Sequence, residues 1–247
     1  MTEERPWPLY HISELGSLPE PKWLVDRHVT DGLTVVYGPP KAGKTFLTLG
    51  WSLCIGAGHS WHGHRVEQAP VVYVSGEGQG GLHKRVQGWQ HAEGITHSQV
   101  YVVAAGARLL KREHVIALRN DVHSTGARLL VVDTLARSMA GGDENSQQDM
   151  GLVVQGLDWV RQQTGCGVIV VHHSGKASDG PRGSTALFGA ADTLIKVDGD
   201  GSRVDVSCEG QKDAPPFARE HFALVEAGPS VSLSPRAVSI PSGHSVI

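Results

Sequence analysis

One octapeptide constrains this chain more than any other stretch. Gly38-Pro39-Pro40-Lys41-Ala42-Gly43-Lys44-Thr45 satisfies the pattern G-x-x-x-x-G-K-[ST] at every fixed position. Its flanks agree with it. Leu33 to Tyr37 is an apolar, β-branched run of the kind that forms a buried strand. Phe46, Leu47, Leu49, Leu53, Cys54 and Ala57 recur at helical spacing, which predicts a helix with one packed face. A strand, a Gly-rich turn and a helix start together make a cradle for anions. Successive backbone N–H groups and the positive end of the helix dipole hold phosphate, the Lys44 ammonium bridges the β- and γ-phosphates, and the Thr45 hydroxyl offers a Mg²⁺ position. Gly38, Pro39, Pro40, Lys41, Ala42, Gly43, Lys44, Thr45 and Phe46 are therefore the candidate nucleotide-binding residues, and the ligand class is a nucleoside triphosphate.

At 247 residues with 40% hydrophobic content the chain can bury one large core, so the expectation is an N-terminal arm over residues 1–30 and a single domain over 31–247. A net charge of −3 excludes a general basic coat for duplex DNA, so any nucleic acid must be met locally by particular loops. Cys54, Cys166 and Cys208 lack C-x-x-C spacing, which argues against a disulfide framework or zinc module and for a reducing compartment. No signal pattern opens the chain, and no apolar run approaches the roughly 18 residues a membrane span needs. The expected setting is cytoplasmic, without membrane contact.

Past the first helix, His59, His62 and His64 invite a metal reading. No carboxylate or cysteine lies close in sequence, so the segment reads as a connection with solvated histidines. Val71 to Ser75 reads as a second buried strand. Glu77, set between glycines just beyond it, stands where ligands bind in open α/β sheets and is the candidate for polarising an attacking water. A third strand is expected over Val100 to Ala104 and a helix over Val115 to His123. Leu129 to Asp133 has the Walker B form, four apolar residues ending in an acid, and Asp133 can hold Mg²⁺ opposite Thr45. Two long polar loops, Arg137 to Asp149 and Ser174 to Gly189, follow strands that end on the same edge, the first reading as mobile. Between them come a helix over Gly151 to Gln163 and a strand over Cys166 to Val171. From Thr193 onward, short alternating segments separated by Asp, Gly and Pro turns predict antiparallel hairpins that extend the sheet.

The ordered segments GPPKAGKT, SGEG, RLLVVDT, VIVVHHSGK and RGSTALFGAAD resemble the RecA-fold P-loop ATPases, specifically the RepA-like hexameric helicases near the DnaB and KaiC branch. The likeness runs from about residue 22 to about residue 225. It implies an α/β, RecA-like three-layer core with a mostly parallel central sheet, extended by C-terminal antiparallel strands and assembled as a homo-oligomeric, hexameric ring with ATP and Mg²⁺ at subunit interfaces. By that likeness Glu77 is the catalytic glutamate and Asp133 the Walker B carboxylate. His173, or alternatively His172, is the γ-phosphate sensor. Arg182 and Lys212 are cations reaching a neighbour's phosphate, a role worth about 10³ to 10⁵ in rate where such a finger acts. The two loops would touch single-stranded DNA, with Arg137 and Lys176 as phosphate contacts. Asp143, Glu144 and Asp179 oppose this, and the first loop carries no aromatic for base stacking.

The function this implies is an ATP-hydrolysing, ring-forming motor on single-stranded DNA, a replicative-type helicase with replication or recombination proteins as partners. The rival within the fold is a RecA-like, DNA-stimulated ATPase acting in recombination, annealing or loading without unwinding. A small-molecule P-loop kinase and an ATP-gated regulator stand further off. All four readings need Lys44. Lys44→Ala is expected to remove nucleotide binding, measured by calorimetry, since a hydrogen bond to a charged group contributes about 1.5–3 kcal/mol and Lys44 serves both phosphates. Unchanged affinity would remove the phosphate-loop assignment.

Overall fold

Buried strands whose apolar residues are continuous rather than alternating must be covered on both faces. The architecture follows from that. The computed structural model describes residues 9–18, 20–76, 79–173 and 185–236. A ribbon of β1 (Trp23–Val25) and β2 (Val29–Thr30) leads into β3 (Leu33–Gly38), α1 (Lys44–Ala57), β4 (Val71–Ser75), α2 (Gln79–Glu93) and β5 (Val100–Val103). Then come α3 (Arg112–Thr125), β6 (Leu129–Asp133), the short α4 (Leu135–Ser138), α5 (Gln147–Thr164), β7 (Gly167–His173) and α6 (Thr185–Ala190). The chain finishes with β8 (Thr193–Gly199), β9 (Arg203–Gln211), β10 (Glu220–Ala227) and β11 (Ser230–Pro235). One nine-stranded sheet runs β11-β10-β9-β8-β3-β7-β6-β4-β5. It is parallel from β8 to β5 and antiparallel from β8 to β11, the mixed sheet that the pattern of segments predicts.

Period-2 alternation divides each central strand between two cores. Val36, Val71, Tyr73, Leu129, Val131, Ile169 and Val171 join the core beneath α1 and α2. Val35, Val72, Val74, Leu130, Val132, Val168 and Val170 join the core beneath α3, α5 and α6. The result is three layers. The helix α1 departs from the expected one-sided packing, because its residues from Leu47 to Gly56 are all buried. The β1–β2 ribbon and the C-terminal strands cover the side that a helical-period reading leaves to solvent. A helix apolar all round is a buried helix.

The first thirty residues are not all an arm. A 3₁₀ turn over Ile12–Ser17 buries no residue, whereas Leu24, Val25 and Val29 are wholly buried in the core with α1. The loop after β6 also differs from expectation. Asp143 accepts hydrogen bonds from the Asn145 backbone (2.9 Å) and side chain (3.0 Å), and Asp149 accepts from Asp143 N–H at 2.9 Å. The acids fold the loop on itself. Ser146 accepts from Asp149 N–H at 3.2 Å, so α5 begins at Gln147, four residues before the apolar period becomes visible. The histidines of the 59–64 connection are only partly solvated, since Trp61 is buried against Trp51 at 5.5 Å and each histidine beside it is half-buried.

At the amino end of β3, Asp192 collects four donors or cations. Leu33 N–H reaches it at 2.8 Å, Arg161 at 3.2 Å and Lys212 at 3.0 Å, while Lys212 N–H meets the Asp192 carbonyl at 2.9 Å. Burial pushes the Asp192 carboxyl up, but these bonds and charges outweigh it and leave it below the usual range. A depressed folded value contributes stability above the ordinary carboxylate pKa, and that contribution fades as pH falls through the folded value. Asp192→Asn is expected to cost about 1–3 kcal/mol of unfolding free energy at neutral pH, with the gap to the unaltered protein narrowing below about pH 4. Urea melts at pH 7 and pH 3.5 measure it, and equal gaps at both would contradict this account.

Candidate nucleotide-binding site

Parallel pairing aligns strand ends. Gly38 at the end of β3 is opposite His173 at the end of β7, and Ser75 at the end of β4 is opposite Asp133 at the end of β6. The phosphate loop, the Walker B acid and the strand-end histidine therefore lie on one rim, the carboxyl edge where α/β sheets bind ligands.

Within the loop, a Cβ on Gly38 would overlap the Val197 carbonyl, and one on Gly43 would meet Val204 Cγ2 at 2.6 Å. Gly43 is also the N-cap of α1 at φ 99°, a left-handed conformation that glycine adopts without strain. Gly43 at the N-cap brings no side chain to cap α1, so the positive end of the helix dipole faces the loop. That cradle suits phosphate. The Lys44 ammonium, buried, donates to Gly38 O and Pro39 O at 2.8 Å each and lies 3.3 Å from His173 Nδ1. An ammonium only donates, so His173 Nδ1 accepts and its proton sits on Nε2. His172 faces the other side of the sheet, buried, with its ring 5.9 Å from Phe188 on α6. Of the two histidines it is His173 that meets the phosphate loop.

Asp133 is buried at the end of β6, and the peptide joining it to Thr134 is cis. The Tyr73 hydroxyl donates to Asp133 Oδ2 at 2.5 Å. Thr48 Oγ1 lies 3.2 Å from that hydroxyl and 3.1 Å from the Lys44 carbonyl, to which it can donate. Burial first, and then the Asp133 charge and hydrogen bond, push Tyr73 well above the usual phenol range, so it stays protonated and keeps donating. A polar chain thus links the Walker B acid to the first turn of α1. Thr45 on that turn and Asp133 supply only oxygen donors, a hard set that fits Mg²⁺. Phe46 packs against the core beside α1, with the Arg85 guanidinium 5.4 Å above its ring.

Arg137, exposed on α4, stands at the rim. A Cβ on Gly76 would approach the Arg137 Cβ to 2.7 Å, so the glycine permits this closeness. Gly76 N–H also donates to Asp133 O at 2.7 Å. Lys212 is placed elsewhere, at the opposite rim beside Asp192, within its own chain's ion pair. Glu77, Lys176 and Arg182 lie outside the described residues. Sequence reasoning missed Tyr73 and Thr48. Tyr73 reads there as one more core residue, and only the pairing of β4 with β6 brings it beneath an acid sixty positions away.

Residues 5–179 match the AAA domain family AAA_25, which is well over half of the chain. The chain belongs to this family. Among solved structures, the one titled "Crystal structure of the RadB recombinase" is similar at a TM-score of 0.60 and 21% identity, covering 83% of this chain and 91% of that chain. At that identity the likeness establishes the fold, a RecA-like P-loop core. No curated protein matches the chain. The AAA domain assignment accounts for the ATP-binding loop and leaves the branch within RecA-fold ATPases open. No described helix is long and apolar enough to cross a membrane.

Tyr73→Phe isolates the polar chain without emptying the core. Loss of a group that orients a metal ligand costs about tenfold or more in metal affinity. The Mg²⁺ requirement for tight ATP binding is expected to rise by that factor, with metal-free nucleotide binding unchanged, as measured by Mg²⁺ titration in a calorimeter. An unaltered Mg²⁺ titration would detach Tyr73 from the site.

Proposed function

We propose that this AAA domain protein is a RecA-like ATPase that hydrolyses ATP in response to single-stranded DNA and acts in recombination, annealing or loading. The observation that supports the reading is the rim itself, where Lys44 touches His173 and Asp133 ends the neighbouring strand on the same edge. Lys44 and the α1 amides bind and orient the triphosphate, and bound Mg²⁺, held through Thr45 and Asp133, would neutralise charge on the β- and γ-phosphates. Glu77, two residues past Ser75, orients the water that attacks in line. Lys44 has three N–H donors, and a γ-phosphate must compete for them with Gly38 O, Pro39 O and His173 Nδ1. His173 is the last residue of β7, so the contest is transmitted to the segment from 174 onward, where Lys176 and Arg182 follow. Arg182 from an adjacent copy is the candidate to complete the site, which makes turnover depend on assembly, a hexameric ring included. Lys212, already paired with Asp192, has the weaker claim.

The likeness to a protein titled a recombinase supports the recombination reading, while the helicase reading rests on the sequence segments alone. The net charge of −3 suits local contacts by loops such as the one bearing Arg137 and favours a salt-sensitive interaction. The test is ATP turnover against single-stranded DNA, duplex DNA and RNA on a fraction of measured mass. Single-stranded DNA is expected to raise turnover several-fold in an oligomer, with Glu77→Gln retaining ATP binding while losing turnover. Strand displacement from a forked substrate would return the helicase reading, and turnover indifferent to every nucleic acid would end both.

A further inference from the structure

The turn between β1 and β2 carries His28, wholly buried, its ring stacked at 4.2 Å on Phe217 and edge-on to Trp61 at 5.0 Å. The 59–64 connection folds back through paired hydrogen bonds between Trp61 and His64, at 3.1 and 2.8 Å, and presents His64 with its ring 4.4 Å from that of His28. Glu220, the first residue of β10, completes the group. Its Oε1 is 3.2 Å from His28 Nε2 and 3.2 Å from His64 Nε2. All three candidate ligand atoms lie within 4.8 Å of one another, and among the described residues no other three His, Cys, Asp or Glu side chains converge in this way.

The hydrogen bonding of His28 says what such a cluster is suited to hold. His28 Nδ1 is 2.7 Å from the Asp26 carbonyl, which can only accept, so Nδ1 carries a proton. That bond orients the ring and turns the Nε2 lone pair toward Glu220. An imidazole whose far nitrogen is anchored on a backbone carbonyl is the arrangement of metal-bound histidines. Zinc–ligand bonds of about 2.0–2.1 Å in a tetrahedron place neighbouring ligand atoms about 3.3–3.4 Å apart, close to both contacts seen here. The other histidines nearby on charged partners are engaged elsewhere, His221 with Asp205 at 2.8 Å and His59 with Glu93 at 3.3 Å. One side of the cluster opens on a cleft lined by His62, His64 and Glu220, which gives an ion a way in and leaves a fourth position for water.

We propose that His28, His64 and Glu220 bind one divalent transition metal ion, zinc by ligand chemistry, as a clip joining the β1–β2 turn, the 59–64 connection and β10. Two imidazoles disfavour Mg²⁺ and Ca²⁺, which take oxygen ligands. The site shares no residue with the phosphate loop, so its metal is distinct from the nucleotide's Mg²⁺.

Full-length protein without a histidine tag, stripped with chelator and titrated with Zn²⁺, is expected to take up one ion per chain and to melt at a higher temperature with zinc than without. His64→Asn, at a half-exposed position, and Glu220→Gln are each expected to weaken zinc binding by about tenfold or more. His62→Asn, beside the same cleft but outside the three, is expected to keep it. Circular dichroism and ATP binding establish that each variant is folded, and His64→Asn carries the test if Glu220→Gln is not. Substoichiometric zinc in the unaltered protein, or undiminished affinity in folded His64→Asn, would overturn the site and leave a hydrogen-bonded cluster of Glu220 with two histidines. So would an equal rise in melting temperature with Mg²⁺ alone.

Discussion

Parallel strand pairing in fixed register is what makes this chain a nucleotide-binding protein and not merely one that contains a phosphate loop. Each parallel strand must cross over before the next begins, so the residues at strand ends come from distant parts of the sequence. Register alone decides which of them meet. Here β7 lies between β3 and β6, with Gly38 level with His173 and Ser75 level with Asp133. A slip of one residue in β7 would exchange His172 and His173 across the sheet, sending to the Phe188 side the imidazole that now touches Lys44. The two-sided burial of these strands guards against that slip, because both cores are filled by alternate residues of the same run.

Two polar links cross this apolar frame. One joins Lys44 directly to β7 through His173. The other joins Asp133 to α1 through Tyr73 and Thr48. The second is buried and the first half-buried, where hydrogen bonds are electrostatically stronger and costly to leave unmade. They connect the element that grips phosphate with the two strands whose ends carry the remaining chemistry. Lys44 and the end of β7 are therefore in direct polar contact.

Most of the fold was legible before any coordinates, for a definite reason. Strands such as Val71 to Ser75 and Leu129 to Asp133 are β-branched runs stopped by polar residues, and the structure gives them those same bounds. The phosphate loop was legible, and Asp133 could be named as the candidate Walker B acid, because both patterns are local in sequence. What escaped was whatever depends on contacts between distant segments. Ser146 capping moved the start of α5, and the ribbon of residues 23–30 turned out to be core because α1 is apolar all round. The partners of the histidine connection were not legible because Glu220 lies 156 positions from His64 and Trp61 gives no sign of which way it packs. Glu77, Lys176 and Arg182 keep only their sequence argument.

The knot at Asp192 has a mechanical consequence. It clamps the foot of β3 to α5 through Arg161 and to the end of β9 through Lys212, while the head of the same strand bears the phosphate loop. A strand tethered at its base cannot slide along its own axis. A pull on the loop would then pass sideways to β7 and β8, the strands hydrogen-bonded to β3 on either flank. The lever has its fulcrum at one end of the sheet and its working stroke at the other.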